Sequence, residues 1–114
     1  MHEASIAAGI LDTVARTLAG HETARLTRVH VRIGRFAGVV PECLDFAWEV
    51  IREGTLAEGV PLAIEEIEPT ARCRTCAAEF TVPDVSLRCP SCGGLDVSLM
   101  TGRELTVSEL EVEE

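Results

Sequence analysis

The sequence predicts an α+β fold in which two helices pack on a small, mostly antiparallel three-stranded sheet, with a four-cysteine, zinc-ribbon-like domain inserted between two strands. Three observations predict this fold: two segments with apolar residues at helical spacing, three segments with alternating apolar residues, and two C-x-x-C pairs before the last of those strands. We expect residues 1–69 plus 101–114 to form one domain and residues 70–100 to form the other.

Both predicted helices show one apolar face. The face of the first helix ends before Gly20 and consists of Ile6, Ile10, Val14 and Leu18. The second helix is predicted to begin at Pro41, because proline suits the first helical turn, and to end at Gly54. Its buried face is expected to consist of Leu44, Ala47, Trp48 and Ile51.

The predicted strands lie at residues 26–33, around residues 62–67 and at residues 103–113. The first alternates between an apolar and a polar face. Its apolar face consists of Val29, Val31 and Ile33, and its polar face of Arg28, His30 and Arg32.

Two cysteine pairs define the predicted metal site: Cys73 with Cys76, and Cys89 with Cys92. Four thiolates at this spacing can surround one tetrahedral ion, typically zinc. Gly93 and Gly94 directly after the second pair can supply the positive φ that such a turn requires. Four thiolates leave no open position for water, so the site is expected to be structural. A rubredoxin-like iron site uses the same ligands and stays an alternative.

The composition narrows the classes of function. The formal charge is −9, which argues against nucleic-acid binding because a basic surface is the usual requirement. All ten basic residues are arginine and tyrosine is absent, which excludes lysine Schiff-base and tyrosine acid–base chemistry. The chain shows neither a signal peptide nor an apolar stretch long enough to cross a membrane, so we expect a cytoplasmic location.

A second metal site is predicted at the amino terminus. The Met1 amine, the deprotonated amide of His2 and its imidazole can chelate one ion in adjacent rings, and Glu3 can add a further ligand. A nitrogen-rich, tetragonal ligand set suits Ni(II) or Cu(II) better than zinc. A solvated histidine at a frayed terminus is the alternative interpretation.

Four features together resemble the HypA/HybF family of nickel metallochaperones for [NiFe]-hydrogenase maturation, some of which also serve urease. They are the opening Met1-His2-Glu3, the loop at residues 33–42, Ala57-Glu58-Gly59, and the two cysteine pairs. The resemblance implies a non-enzymatic protein with Ni(II) as transient cargo at Met1, His2 and Glu3. It also implies structural Zn(II) at Cys73, Cys76, Cys89 and Cys92.

The resemblance implies a HypB-like GTPase and the hydrogenase large subunit as partners, with urease maturation proteins as further candidates. From charge and hydropathy we expect neither nucleic acid nor membrane as a target. The expected assembly is a monomer or homodimer. Ala78 and Gly93 stand where some relatives carry histidine near the zinc cysteines, so ligand switching through histidine is not expected. A zinc-ribbon interaction adaptor without a nickel role is the alternative function.

Several other residues receive simpler interpretations. Cys43 is expected to be a partly buried small apolar residue, and His21 to lie on the surface. His30 is expected to be solvated. A basic patch for an acidic partner, formed by Arg28, His30, Arg32 and Arg35, is a secondary hypothesis.

Overall fold

A computed structural model describes residues 2–84 and 86–113. The chain divides into two compact units. Unit 1 comprises Met1–Arg32, Gly38–Glu65 and Thr106–Glu114, and unit 2 comprises Ile33–Ala37 and Glu66–Leu105. The assignment of nickel and zinc to separate domains at residues 1–69 plus 101–114 and 70–100 stays a prediction.

Two helices and six strands follow one another along the chain. They are α1 (Glu3–Leu18), β1 (Arg25–Gly34), α2 (Pro41–Ile51), β2 (Leu62–Ile67), β3 (Thr70–Cys73), β4 (Glu79–Thr81), β5 (Val97–Thr101) and β6 (Leu105–Glu113). Pro41 occupies the first turn of α2, as predicted, but the helix ends at Ile51 and turns follow it up to Gly54. Within the described ranges, neither helix is long and apolar enough to cross a bilayer.

The first sheet has the strand order β2-β1-β6. The hydroxyl of Thr27 donates to the carbonyl of Glu111 and that of Ser108 to the carbonyl of His30, so β1 and β6 run antiparallel. Strands β1 and β2 run parallel, because the backbone N–H groups of residues 29 and 35 donate to the carbonyls of residues 61 and 67, a constant offset. The predicted α+β class is confirmed. The sheet is mixed because β1 is parallel to β2 and antiparallel to β6, and α2 lies in the crossover connection that a parallel pair requires.

The core of unit 1 follows the predicted helical faces. Helix α1 packs against α2. Its buried residues are Ile6, Ala7, Ile10 and Val14, which recur at helical spacing. Helix α2 buries Leu44 and Trp48 completely, and the indole N–H of Trp48 donates to the carbonyl of Val60 at 2.7 Å. Trp48 is therefore a core residue, as its position on the apolar face predicts.

Unit 2 contains a second three-stranded sheet, with the order β4-β3-β5. The central strand β3 is antiparallel to both neighbours, with Ala71 opposite Phe80 on one side and Cys73 opposite Val97 on the other. The hydroxyl of Thr70, at the start of β3, lies 2.7 Å from the hydroxyl of Thr101, at the end of β5. This sheet positions the first cysteine pair, because β3 ends at Cys73.

The short segment Ile33–Ala37 belongs to unit 2 and is bound to it through its backbone. The N–H of Gly34 donates to the carbonyl of Glu104 at 2.8 Å, and that of Phe36 to the carbonyl of Gly102 at 2.7 Å. The guanidinium of Arg35 contacts the carboxylate of Glu68 at 2.8 Å and the carbonyl of Val82 at 3.2 Å. Backbone hydrogen bonds and an ion pair thus hold this segment beside the ends of β2 and β5.

Candidate metal centre

The first cysteine pair is held by a tight turn after β3. The N–H of Ala77 donates to the carbonyl of Cys73, and the N–H of Cys73 to the carbonyl of Ala78, both at 2.9 Å. This turn requires a left-handed backbone at Ala77, whose φ is 64°. Such a conformation is unfavourable for a residue with a Cβ, so the hydrogen bonds of the turn must offset the conformational energy of Ala77.

The second cysteine pair repeats the same turn. Gly93 donates to the carbonyl of Cys89 at 2.8 Å, and Cys89 to the carbonyl of Gly94 at 3.0 Å. The left-handed residue here is Gly93, with φ of 72°, as the sequence predicts. Gly94 has a different role, since its N–H lies 3.4 Å from the sulfur of Cys92.

The four sulfurs converge on one point. Cys73 and Cys92 have their Sγ atoms 3.6 Å apart, as do Cys76 and Cys89, and all four Sγ atoms lie within 4.8 Å of one another. An ion about 2.3 Å from four tetrahedral thiolates would set sulfur separations of about 3.8 Å. The arrangement therefore fits one zinc ion. Cys73 and Cys89 are buried, whereas Cys76 and Cys92 are exposed.

Backbone amides favour the thiolate form at the first cysteine of each pair. A hydrogen bond from the N–H of Cys76 is the main reason that the pKa of Cys73 is lowered to about 6. The pKa of Cys89 is lowered mainly by the N–H of Cys92. The turns themselves thus favour the thiolate form at two of the four sulfurs.

At the second cysteine of each pair, the neighbouring sulfurs and burial together raise the thiol pKa more than the backbone N–H groups lower it. The N–H of Gly94 acts to lower the pKa of Cys92, but the adjacent thiols of Cys73 and Cys89 and burial raise it to about 11. The N–H of Ala78 has the same effect on Cys76, whose pKa is nevertheless raised by Cys89 and by burial. Four close sulfurs share protons, and a divalent cation would displace those protons on binding.

The predicted amino-terminal ligands lie at the start of α1. His2 is the N-cap, with extended backbone angles, and its carbonyl accepts the N–H groups of Ser5 at 3.0 Å and Ile6 at 3.2 Å. The exposed imidazole of His2 makes no capping hydrogen bond. Glu3 is the first helical residue and is half-buried. Met1, the third predicted nickel ligand, lies outside the described residues.

The sequence matches the model of a known protein family over nearly its whole length. The model for HypA, described as a hydrogenase/urease nickel incorporation metallochaperone, matches residues 1–112. The chain belongs to the HypA family. The resemblance noted from the sequence is confirmed, and HypA proteins are maturation factors rather than enzymes.

Curated HypA relatives match over nearly the full length of the chain. The hydrogenase maturation factor HypA of Desulfitobacterium hafniense is 37% identical over 114 residues, which is 100% of both chains. HypA of Chlorobium limicola is 40% identical over 100% of this chain and 98% of its own. HypA of Streptomyces avermitilis is 42% identical over 100% of this chain and 88% of its own.

Solved HypA structures share the fold. The solution structure of the Ni metallochaperone HypA from Helicobacter pylori has a TM-score of 0.65 and 25% identity, with 97% of each chain covered. A second solution structure of a HypA protein has a TM-score of 0.74 and 22% identity, covering 99% of this chain and 97% of its own. The second comparison supports the fold alone.

Two expectations about individual residues are wrong in the HypA-family chain. Cys43 is exposed rather than partly buried, because it lies outside the face of α2 that buries Leu44 and Trp48. His30 is half-buried and hydrogen-bonded to the carboxylate of Glu111 instead of being solvated. His21 is exposed, as expected.

The hypothesis of a free basic patch is weakened by ion pairs. Arg28 lies 3.8 Å from a carboxylate oxygen of Glu111, and Arg32 lies 3.3 Å from one of Glu65. Arg35 is paired with Glu68. An acidic partner would have to displace these carboxylates. The positive charge available to bind such a partner is therefore smaller than the sequence indicates.

Ala77 belongs to the candidate metal centre, although the cysteine spacing alone did not predict it. The signal was present, since Ala77 follows Cys73 by four residues just as Gly93 follows Cys89. An alignment of the two pairs within the chain would have identified both left-handed positions.

Proposed function

We propose that this HypA-family chain captures Ni(II) at its amino terminus and transfers it to a partner during hydrogenase maturation. The proposed ligands are the Met1 amine, the nitrogens of His2, and Glu3. The observation that supports this most directly is the placement of His2 as an exposed N-cap whose imidazole is not used in capping. The family description, nickel incorporation, supplies the cargo.

The start of a helix favours such a chelate for a structural reason. The first N–H groups of α1 have no acceptor within the helix, so deprotonation of the His2 or Glu3 amide breaks no helical hydrogen bond. The carbonyl of His2 meanwhile accepts two helical N–H groups, which fixes the backbone beside the imidazole. Protons compete for every nitrogen ligand, so nickel affinity should rise with pH.

Transfer requires a site that releases its ion when other ligands arrive. A tetragonal ligand set would leave its axial positions open, so a partner's ligands could add before those of this chain depart. The partners we propose are a HypB-like GTPase and the hydrogenase large subunit, with urease maturation proteins as further recipients. This exchange would take place in the cytoplasm, with the chain as a monomer or homodimer.

The four-cysteine centre is proposed to hold structural Zn(II). Its sulfurs have separations close to those of a zinc tetrahedron, and four thiolates leave no position for a reacting ligand. Its role is to stabilise unit 2, whose buried residues include two of the ligands, Cys73 and Cys89.

A Ni(II) titration of zinc-loaded protein with its native amino terminus tests the proposal. Three proteins are compared: the wild type, His2→Ala, and a variant with residues added before Met1. We expect a square-planar absorption spectrum in the wild type that is lost in both variants. Zinc content and circular dichroism serve as controls, and both should be unchanged.

Equal nickel binding by all three proteins would contradict the amino-terminal site and would favour the zinc-ribbon adaptor. Transfer is tested separately by mixing nickel-loaded protein with a HypB-like GTPase. Release of nickel no faster than free dissociation would contradict partner-driven exchange. Bound iron instead of zinc at the cysteines would contradict the structural zinc site.

A further inference from the structure

Helix α2 exposes large apolar side chains that its own unit does not cover. Phe46 is 68% exposed and Val50 is 61% exposed, and Cys43 is exposed beside them. These three residues have the spacing i, i+3 and i+7, so they form one strip along the helix. We call Cys43, Phe46 and Val50 the apolar strip. Its face is opposite to Leu44 and Trp48, which are fully buried in unit 1.

A row of carboxylates borders the apolar strip. Glu42, Asp45 and Glu49 repeat the same spacing one position earlier along the chain, and all three are exposed. We call these three residues the acidic strip. In the described part of the chain, none of them takes part in an ion pair.

The carboxylates of the acidic strip repel one another. The pKa of Asp45 is raised by partial burial and by the charges of Glu49 and Glu42, while Arg52 opposes the shift. Within the described residues Arg52 forms no ion pair with this row, and its guanidinium donates to the carbonyl of Val60 at 2.7 Å. Cations from another molecule would remove this repulsion.

We propose that the solvent face of α2 is a docking surface for a basic amphipathic helix of a partner protein. Apolar residues of the partner would cover Phe46 and Val50, and its Lys or Arg side chains would pair with Glu42, Asp45 and Glu49. Two helices that pack lengthwise match apolar residues at this spacing. None of the residues of the two strips is among the proposed metal ligands.

Charge argues against a second copy of the chain as the occupant. Two α2 helices packed face to face would bring their acidic strips together, in molecules that already have a net charge of −9. An acidic or neutral partner would leave the carboxylates unpaired beside buried apolar surface, which is costly. A basic amphipathic helix would cover the apolar strip and pair its cations with the acidic strip.

A pair of synthetic peptides tests the proposal on zinc-loaded, full-length protein. The first is an amphipathic helix of about 18 residues with a leucine face flanked by lysine, and the second replaces every lysine with glutamate. Fluorescence anisotropy of the labelled peptide gives the dissociation constant. We expect the basic peptide to bind at least about tenfold more tightly than the acidic peptide, and less tightly as salt rises.

Variants of the two strips locate the binding. Phe46→Ala with Val50→Ala should weaken binding of the basic peptide about tenfold or more, because exposed aromatic anchors dominate such contacts. Glu42→Gln with Glu49→Gln should mainly slow association and reduce the salt dependence. Leu95→Ala is the matched control, since Leu95 is 71% exposed but lies in unit 2. Circular dichroism and zinc content verify that each variant is folded.

Equal binding of the two peptides would contradict the proposed charge preference. Unchanged binding by the Phe46/Val50 variant, or an equal loss in Leu95→Ala, would place the peptide elsewhere and overturn the proposal. Sedimentation of the free protein completes the test. Dimers that dissociate on Phe46→Ala would show that a second copy covers the strip instead of a basic partner.

Discussion

Gly34 lies so close to the backbone of Gly102 that position 34 does not admit a side chain, and Pro69 blocks one at position 102. A Cβ added at Gly34 would lie 2.1 Å from the carbonyl carbon of Gly102, and one added at Gly102 would lie 2.7 Å from the Cβ of Pro69. Gly102 also has a φ of 120°, which residues with a Cβ rarely adopt. The two glycines therefore allow the segment at residues 33–37 to pass directly against the strand ends of unit 2.

Gly34→Ala is expected to destabilise the protein by about 3 kcal/mol, because the added methyl meets backbone atoms that cannot rotate away. Urea unfolding followed by circular dichroism measures the effect. Gly9→Ala is the matched control, since Gly9 lies within α1 with nothing near its added Cβ. That change should stabilise the protein by about 0.5–1 kcal/mol. Similar effects of the two substitutions would contradict the close approach.

The carbonyl of Val60 accepts two side-chain hydrogen bonds, from Trp48 and from Arg52, each at 2.7 Å. Trp48→Phe alone or Arg52→Met alone leaves this carbonyl one donor. The double variant leaves it none, so its loss of stability should exceed the sum of the single losses by about 1 kcal/mol. Urea unfolding followed by circular dichroism gives the three values, and strict additivity would show that the two bonds are independent.

Local patterns were sufficient to predict most of the fold. The helical faces of Ile6, Ile10 and Val14 and of Leu44 and Trp48 appear as periodic apolar residues, and all five are buried. The direction of β2 was harder to predict, because its pairing with β1 depends on how the chain crosses through α2. Sequence periodicity identifies a strand but does not identify its neighbours.

Contacts set by a short turn could likewise be predicted from the sequence, whereas contacts between distant positions could not. The spacing of Cys73, Cys76, Cys89 and Cys92 predicts their convergence, because each pair is fixed by a short turn. The bond between His30 and Glu111 joins positions 81 residues apart, and nothing local indicates it. By contrast, the exposure of Phe46 agrees with a local pattern, because Phe46 lies outside the predicted buried face of α2.

Ala77 and Gly93 occupy equivalent left-handed positions, so substitutions there should have opposite effects on the proposed zinc affinity. Gly93→Ala introduces a Cβ at a φ of 72° and should weaken zinc binding about tenfold. Ala77→Gly removes the same strain at a φ of 64°, partly offset by greater freedom of the unfolded chain, and should strengthen binding by about threefold or less. Competition with a coloured chelator measures both, and changes of the same sign would contradict the equivalence of the turns.

Glu111 should contribute stability that depends on pH. Its pKa is lowered chiefly by the hydrogen bond from His30 and further by the charge of Arg28. Because the folded pKa lies below the unfolded one, this contribution is present above the unfolded pKa and is lost as the pH falls through the folded pKa. Glu111→Gln should therefore lower the free energy of unfolding more at about pH 6 than at about pH 3.

The matched control for this pH effect is Glu109→Gln, on the same strand. Within residues 2–84 and 86–113, Glu109 makes no ion pair, so its replacement should have a small effect at both pH values. Urea unfolding of both variants and the wild type at the two pH values gives the comparison. A loss for Glu111→Gln that is equal at both pH values would show that the carboxylate acts through packing instead of through its charge.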